Sequence, residues 1–315
     1  MTAPTEGFQS GTHVGVHSID HFALHVPDLT EGRRFFESFG LRVTAEGIGL
    51  ALRASGSEHC WARLVSGGGR RLAWLALSCH AEDLGLLSER VRASANQAAP
   101  HPAAPQDGLW FHDPDGNLIR LAVGPKTTPF ERIVLPPELP QGIDGRRIAP
   151  RSLHSVVYPG RLSHVLMFTT DIDRAIAFYS NVLGLALSDR SGQQVAFMHG
   201  RFGSDHHLVA FGRSHAPGWH HSSWDVPSVD DVGRGAAQME AAGYSLGWGV
   251  GRHVLGSNYF YYARDPWGSF AEYSAEIDFI ASATEWSPMD VASEDALHLW
   301  GPPVPNSILD NTQTI

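Results

Sequence analysis

An internal duplication constrains the fold more than any other feature of this sequence. The segment SIDHFALHVPDLTEGRRFFESFGLRV, which carries His21, aligns with RLSHVLMFTTDIDRAIAFYSNVLGLAL, which carries His164. At the same spacing Asp28 aligns with Asp171, and a second match follows in each half, DPDG in the first and DPWG in the second. Such self-similarity indicates two copies of one structural module. The copies extend over about residues 15–125 and 158–280.

Each copy predicts the same succession of elements. A short apolar strand carries the histidine, and Asp28 or Asp171 then provides the N-cap of a helix. In the second copy this helix has an apolar stripe that would face a sheet. The stripe consists of Ile172, Ile176, Tyr179 and Leu183. Gly184 stands where a left-handed helix end is expected, and alternating strands follow, so the order is βαβββ.

Further elements and a linker complete the predicted organisation. The predicted strands are Gln194–Met198, His207–Phe211, Ser257–Tyr262 and Ser269–Ser274, and the predicted second helix is Val229–Ala242. The proline-rich stretch 124–150 is typical of an ordered linker. We therefore expect one domain with its linker at residues 1–150 and a second domain with a C-terminal tail at residues 151–315.

Composition narrows the functional classes. The chain has 315 residues and a formal net charge of −10, which argues against general binding to nucleic-acid phosphates. No apolar run is long enough for a membrane span, and residues 1–15 lack the regions of a secretory signal. A cytoplasmic protein that binds neither nucleic acid nor membrane is expected. Cys60 and Cys79 have no metal-ligand spacing, whereas 18 histidines direct attention to metal chemistry.

Three residues of the second copy form a candidate metal site. His164 lies on the first strand, His221 in the segment GWHHSSWDV, and Glu272 in DPWGSFAEY. Two imidazoles and one carboxylate are the ligand set of non-haem Fe(II) enzymes with open coordination positions. Because a single buried histidine is more often structural than a ligand, the sequence contexts of the three residues decide between the two interpretations.

These contexts resemble those of a known family. His164 precedes a helix ending in FYSNVLG, His221 precedes the helix start DDVG, and Glu272 ends the segment YARDPWGSFAE. The motifs are similar to those of the two-module extradiol ring-cleaving catechol dioxygenases of the vicinal oxygen chelate superfamily, such as the dihydroxybiphenyl dioxygenases. The resemblance covers about residues 17–280.

The resemblance implies a fold and a metal. The fold would be α+β, with tandem βαβββ modules forming two vicinal-oxygen-chelate, or glyoxalase-like, domains. His164, His221 and Glu272 would hold one Fe(II), with Mn(II) as the less favoured occupant. The resemblance also implies a homo-oligomer.

Further roles follow from the same resemblance. The family's acid–base histidine lies in a His-His-x-hydrophobic-Ala segment, which HHLVAF matches, so His207 takes this role. A histidine with a pKa near the working pH suits it. His253 follows Gly-Arg, as does a family histidine that donates to bound substrate or oxygen, and Tyr262 would hydrogen-bond the substrate. The segment VLG after His253 departs from the polar residues common there in the family.

The implied reaction is Fe(II)-dependent extradiol cleavage in aromatic catabolism. A catechol-type substrate and O₂ would be held on one metal ion, and the product would be a hydroxymuconate semialdehyde. Two other functions share the module, a metal-dependent glyoxalase-like isomerase and a ligand-binding protein without catalysis. The isomerases commonly build their site from both modules, and the binding proteins lack a complete ligand set.

The first copy serves as an internal control. Aligning the helix starts places Ala73 opposite His221, and aligning the Asp-Pro turns places Arg120 opposite Glu272. Alanine cannot bind a metal and a guanidinium would repel one, so only His21 of the three remains. The first domain is therefore predicted to lack a metal.

For several residues the sequence leaves two interpretations open or indicates only a position on the surface. His220 either supports the adjacent ligand or is exposed. Other histidines are expected on the solvated surface, among them His13, His101, His199 and His215. A group of aromatic residues either lines a substrate pocket or, for most of them, belongs to the core: Phe197, Phe202, Trp219, Trp224, Trp248 and Tyr259. The tail from about residue 281 is expected to pack on the core through Trp286, Leu297, Leu299 and Trp300.

Overall fold

Two mixed β-sheets, one from each half of the chain, form the framework. The computed structural model describes residues 13–132, 148–282 and 284–313. Most of the predicted ordered linker, residues 133–147, lies outside the described residues, as do residues 1–12. The first sheet has eight strands and the second has nine.

The first module consists of eight strands and two helices. The strands are β1 Val16–Val26, β2 Arg42–Glu46, β3 Gly49–Arg53, β4 Ala62–Ser66, β5 Arg71–Cys79, β6 Asn96–Gln97, β7 Leu109–His112 and β8 Leu118–Val123. The helices are α1 Leu29–Ser38 and α2 Leu84–Ser94. In the sheet the strands follow the order β2-β3-β4-β1-β5-β8-β7-β6.

The second module repeats this plan and adds the tail. Its strands are β9 Arg161–Thr169, β10 Ala186–Ser191, β11 Val195–His199, β12 Ser204–Asp205, β13 Val209–Arg213, β14 Gly218–Asp225, β15 Gly247–Arg252, β16 Tyr259–Arg264, β17 Phe270–Ala275, β18 Phe279–Ile280 and β19 Met289–Asp290. Its helices are α3 Ile172–Asn181, α4 Val229–Ala241 and α5 Ser293–Ala296, and two 3₁₀-helices lie at Arg151–Leu153 and Asn306–Ile308. The sheet order is β15-β16-β17-β14-β9-β13-β11-β10-β19, while β12 pairs with β18.

The α+β fold with tandem βαβββ modules is confirmed, with one refinement. Each module contains the βαβββ unit twice, because β5 and β14 each start a second strand–helix–strands succession beside β1 and β9. The predicted strands agree with β11, β13, β16 and β17 to within two residues at each end, and the second helix is α4.

The predicted helix ends are present. Asp28 accepts a hydrogen bond from the Thr30 N–H at 2.7 Å, and Asp171 accepts one from the N–H three residues on at 3.0 Å. Both helices are followed by a glycine with positive φ, 92° at Gly40 and 74° at Gly184. Only glycine adopts such a conformation without strain, so these two residues release the chain from each helix towards the next strand.

The two modules share one hydrophobic core. Phe22 of β1 lies against Trp219 of β14, with ring centroids 4.7 Å apart. Tyr273 of β17 stacks on Phe39 with centroids 3.9 Å apart, and its hydroxyl donates to the Phe39 carbonyl at 2.9 Å. Aromatic pairs of this kind contribute about 0.5–1.5 kcal/mol beyond their burial, so the β14–β17 region is held firmly by the first module.

A glycine of α4 makes room for this aromatic contact. A Cβ at Gly235 would lie 2.7 Å from the Tyr273 ring, whereas a Cβ at Gly233 in the same helix would meet nothing within 4 Å. Gly233→Ala should therefore raise the free energy of unfolding by about 0.5–1 kcal/mol, the usual helix gain. Gly235→Ala should instead lower it by about 1–3 kcal/mol through overpacking. Chemical denaturation of both variants measures the difference, and an equal gain would contradict the packing described.

The tail packs on the second module, as expected, through two of the four predicted residues, Trp286 and Leu297, and through residues that were not predicted. Ala296 and Ile308 are buried, and β19 extends the sheet next to β10. Trp286 is half-buried and donates its indole N–H to the Ser188 carbonyl at 2.8 Å. Leu299 and Trp300 are 68% and 46% exposed, so these two side chains are not buried against the core.

The longest helix in the described part of the chain has 13 residues. None of the described helices combines the length and hydropathy needed to cross a bilayer.

Candidate metal centre and active site

Three neighbouring strands bring the predicted ligands together. His164 lies on β9, His221 on β14 and Glu272 on β17, which are adjacent in the order β17-β14-β9. The His164 Nε2 lies 3.2 Å from Glu272 Oε2, and the His221 Nε2 lies 3.5 Å from the same oxygen. All three candidate ligand atoms lie within 4.8 Å of one another. Within the described ranges this is the one cluster of at least three His, Cys, Asp or Glu side chains with this geometry.

The cluster is buried and incompletely hydrogen-bonded. His164, His221 and Glu272 are 2%, 3% and 0% exposed. His221 Nε2 and Glu272 Oε2 have no hydrogen-bond partner among the described residues. A buried carboxylate oxygen without a partner costs free energy, and a cation between the three groups would remove that cost. The donor set therefore fits a divalent metal.

The surroundings of His221 and Glu272 favour the protonation states in which these side chains bind metals. Burial, followed by His220 and His164, lowers the pKa of His221 well below its usual value. Burial alone would raise the pKa of Glu272, but contacts with His164 and His253 hold it below its usual value overall. A neutral imidazole and an ionised carboxylate are the forms that bind metals.

A hydrogen-bond chain fixes which nitrogen His221 presents to the site. The Ile308 carbonyl can only accept, so His220 Nε2 donates to it at 2.5 Å. Burial lowers the pKa of His220 to about 4, so the ring is neutral and its Nδ1 is an acceptor. His221 Nδ1 lies 2.6 Å from that atom and therefore carries its proton. The Nε2 lone pair of His221 is left facing Glu272, an arrangement typical of metal-ligating histidines.

The other predicted site residues line the same cavity. His207, His253 and Tyr262 all border a cavity of about 420 Å³ that also contains the two histidines of the cluster. The His207 ring lies 4.0 Å from the His164 ring, centroid to centroid. His253 Nε2 lies 3.0 Å from the Tyr262 hydroxyl, and His253 Nδ1 donates to the Leu297 carbonyl at 2.6 Å.

The surroundings of His207 disfavour its charged form, contrary to the expected pKa near the working pH. Burial, followed by His164 and other nearby histidines, lowers the pKa of His207 well below its usual value. At neutral pH the imidazole is therefore a neutral base and not a half-protonated group. Burial, followed by Glu272, raises the pKa of Tyr262 well above its usual value, so its hydroxyl keeps its proton.

The cavity walls are mostly apolar. Of the aromatic residues that sequence leaves between pocket and core, Phe197 and Trp248 line the cavity. Trp219 and Trp224 are buried outside it, in the core shared by the two modules. Tail residues close one side of the cavity: Ser293, Ala296, Leu297, Ile308 and Leu309.

In the first module, the place that corresponds to the candidate metal site is occupied by side chains that are not metal ligands. Ala76 pairs with both His21 and Arg120, as Ser223 pairs with His164 and Glu272 in the second module. This register confirms Arg120 as the counterpart of Glu272. It also makes Trp74, and not Ala73, the counterpart of His221, because the strand-to-helix connection differs in length by one residue and the helix starts misalign the strands.

Trp74 completes the hydrogen bonding of His21. Its indole N–H donates to His21 Nε2 at 2.8 Å, while His21 Nδ1 lies 2.7 Å from Asp20 Oδ2. Arg120 extends between Asp20 and Asp107, at 3.6 Å and 2.7 Å from their carboxylates. Unlike His221, His21 has no free ring nitrogen.

Several residues in or near the site could not be identified correctly from the sequence. His220 is buried, so the alternative that it is exposed is wrong. His199 is also buried, at 7% exposure, and hydrogen-bonds Ser188 instead of lying on the surface. Asn258 donates to Glu272 Oε1 at 3.1 Å. The carbonyls that orient His220 and His253 belong to the tail backbone, which no side-chain motif identifies.

Comparison with known proteins identifies the family. Residues 161–273 match the Glyoxalase/Bleomycin resistance protein/Dioxygenase superfamily. The chain is 49% identical over 300 residues to metapyrocatechase 2 of Cupriavidus necator, covering 95% of this chain and 93% of that protein. It is 27% identical over 257 residues to a 2,2',3-trihydroxybiphenyl dioxygenase of Sphingomonas paucimobilis, covering 76% of this chain and 80% of that one.

A solved structure shares the whole architecture. The Mn(II)-bound glyoxalase from Novosphingobium aromaticivorans superposes with a TM-score of 0.75 at 26% identity, covering 93% of this chain and 94% of that chain. The similarity to the Cupriavidus protein extends over nearly the full length of both chains. The chain therefore belongs to the glyoxalase/bleomycin resistance protein/dioxygenase superfamily and, within it, to the extradiol dioxygenases, so it is an oxygenase enzyme.

Proposed function

We propose that this enzyme uses Fe(II) to open the ring of a catechol-type substrate beside its two hydroxyls, with O₂ as co-substrate. The product would be a hydroxymuconate semialdehyde, as in aromatic catabolism. The proposal assigns the metal to His164, His221 and Glu272 and gives catalytic roles to His207, His253 and Tyr262.

The observation that carries the proposal is the orphaned pair of buried atoms. His221 Nε2 and Glu272 Oε2 face each other at 3.5 Å without a hydrogen-bond partner among the described residues. Two imidazoles and one carboxylate favour Fe(II) over Mn(II) where oxygen chemistry is performed. When bound, the metal would acidify the catechol, hold it beside O₂ and carry electrons between them.

His207 would hold and return the substrate proton. It is neutral, it borders the cavity, and no described residue hydrogen-bonds its Nε2. A catechol hydroxyl in the cavity can therefore donate its proton to this nitrogen. The protonated His207 later gives the proton back to the oxygen that leaves the broken O–O bond, which keeps the overall reaction balanced in protons.

Tyr262 and His253 would orient the other side of the substrate. Since His253 Nδ1 donates to a carbonyl, its Nε2 accepts from the Tyr262 hydroxyl. A substrate oxygen that approaches Tyr262 can take over this donor. The apolar walls around them exclude water, which strengthens such hydrogen bonds.

A glyoxalase-like isomerase is the second candidate, since the Novosphingobium structure is described as a glyoxalase. An isomerase that shares its site between modules would need ligands from the first module. The counterparts there are Trp74 and Arg120, which cannot bind a metal. We therefore propose that residues 1–150 form a structural domain and that residues 151–315 hold the catalytic site. The cytoplasmic location and the homo-oligomer stay predictions.

Metal content and oxygen uptake test the proposal together. Protein purified without air and loaded with iron should contain about one Fe(II) per chain. A panel of catechols should then produce O₂ uptake equal to the substrate consumed, with a yellow product. Loading with Mn(II) or Zn(II) provides the comparison. Two metals per chain, or zinc-dependent turnover without oxygen uptake, would replace the dioxygenase with an isomerase.

A further inference from the structure

A buried carboxylate lies behind the active-site histidine pair and takes no part in the reaction described above. Asp189 of β10 is 2% exposed, and its Oδ2 lies 2.7 Å from His206 Nε2. His206 is fully buried, and its Nδ1 lies 3.0 Å from His207 Nδ1. Asp189, His206 and His207 thus form a chain of hydrogen bonds that ends at the ring facing the cavity.

The backbone holds His206 in place independently of these contacts. Its N–H donates to the Asp278 carbonyl at 2.6 Å, and its carbonyl accepts from the Ser188 hydroxyl. Trp286 of the tail packs edge-on against the ring, with centroids 5.6 Å apart. The ring therefore has little freedom to turn, and its two nitrogens keep separate partners.

The direction of the hydrogen bonds follows from the acceptor at the end of the chain. An ionised carboxylate can only accept, so the proton between Asp189 and His206 resides on His206 Nε2. His206 Nδ1 is then the nitrogen left to accept, and His207 Nδ1 carries the proton between the two histidines. His207 Nε2 is left as a lone pair directed to the cavity.

We infer that Asp189 and His206 are positioning residues that hold His207 in the tautomer and orientation needed to accept a substrate proton. This inference rests on the proposed role of His207 and extends it to two residues that contact no substrate. The chain Asp189–His206–His207 parallels the chain from the Ile308 carbonyl through His220, in which an acceptor also fixes the next ring.

Asp189→Asn tests the inference with almost no change of shape. The Met289 N–H donates to Asp189 Oδ1 at 2.7 Å, so the amide oxygen should take this position and its NH₂ should face His206. His206 Nε2 must then accept, and each following hydrogen bond reverses, which puts the proton of His207 on Nε2. In the metal-free protein, ¹⁵N shifts of the His207 ring should show this exchange of tautomers.

The change in the His207 tautomer should lower the turnover number. Asp189→Asn should lower kcat by about 10–100-fold, the usual effect of losing a group that orients a site residue. The KM for the catechol and the iron content should stay unchanged, because neither contact involves a proposed ligand. Asp173→Asn, the same replacement on the exposed face of α3, is the matched control and should have wild-type kinetics.

A second variant and a double variant keep the result interpretable. In His206→Gln the amide can still donate to Asp189 but leaves His207 Nδ1 without an acceptor, so kcat should again fall by about 10–100-fold. Combined with His207→Phe, neither replacement should cause a further loss, since the positioned ring is absent. An unchanged His207 tautomer in Asp189→Asn, or equal losses with and without His207, would overturn the inference. Normal turnover of His207→Phe alone would instead overturn the proposed role of His207.

Discussion

Glu272→Gln is expected to leave the purified enzyme with almost no iron at neutral pH. Glutamine keeps the size of the side chain and can still accept from Asn258, but it removes the one anionic ligand of the proposed site. The charge of Fe(II) would then be uncompensated in a fully buried position. We expect metal affinity to fall by about 100-fold or more, beyond the loss known for groups that only support a ligand. Metal analysis after equilibrium dialysis measures it.

The duplication supplies a matched control for this prediction. His164→Ala should remove iron as Glu272→Gln does. His21→Ala changes the same residue at the equivalent strand position but should leave iron and turnover intact. It should lower the free energy of unfolding by about 1–3 kcal/mol, because Trp74 Nε1 and Asp20 lose a buried partner. Equal iron loss in both histidine variants would mean that the two modules share one site, and an isomerase would become the better assignment.

The contrast between the modules shows how one fold supports an open and a closed site. In the second module β14 supplies an imidazole whose Nε2 has no partner among the described residues. In the first module β5 supplies an indole at the same position, and its N–H satisfies the remaining histidine. Two side chains, those at the His221 and Glu272 positions, therefore decide whether three strands hold a candidate ligand cluster or a closed hydrogen-bond network.

The fold and the ligand cluster could be predicted because both depend on local sequence. Asp28 and Asp171 cap helices through bonds to the next few residues, and the family-like motifs around His164, His221 and Glu272 lie on three strands that are neighbours in the sheet. The alignment failed at Ala73 for a local reason as well, since one residue of difference in a connection shifts every side chain of the strand to the opposite face.

The supporting contacts could not be predicted because they join distant parts of the chain. His220 depends on the carbonyl of Ile308, and His253 depends on that of Leu297. A backbone carbonyl has the same chemistry at every position, so no residue type signals its role. The exposed Leu299 and Trp300 show the converse, since apolar residues in a tail indicate packing without indicating which side chains are packed.

His207→Phe is expected to leave iron bound and to lower ring cleavage by about 10²–10⁴-fold, the usual range for losing a general acid–base group. Phenylalanine preserves the ring contacts with His164 and Phe197, whose centroids lie 4.0 and 4.8 Å from that of His207. It removes the nitrogen that would accept the catechol proton. Metal analysis, anaerobic catechol binding and steady-state oxygen uptake measure the three quantities separately.

The combination of results identifies the cause of the loss. Retained iron and retained catechol binding with slow turnover would show that His207 acts on the proton and not on the metal. His215→Phe, at an exposed histidine of the same module, should behave like the wild type. If His207→Phe turned over normally, the cavity would offer one other imidazole outside the proposed ligands and their support, that of His253. Its Nε2 already faces Tyr262, so the proton would then pass on that side of the substrate.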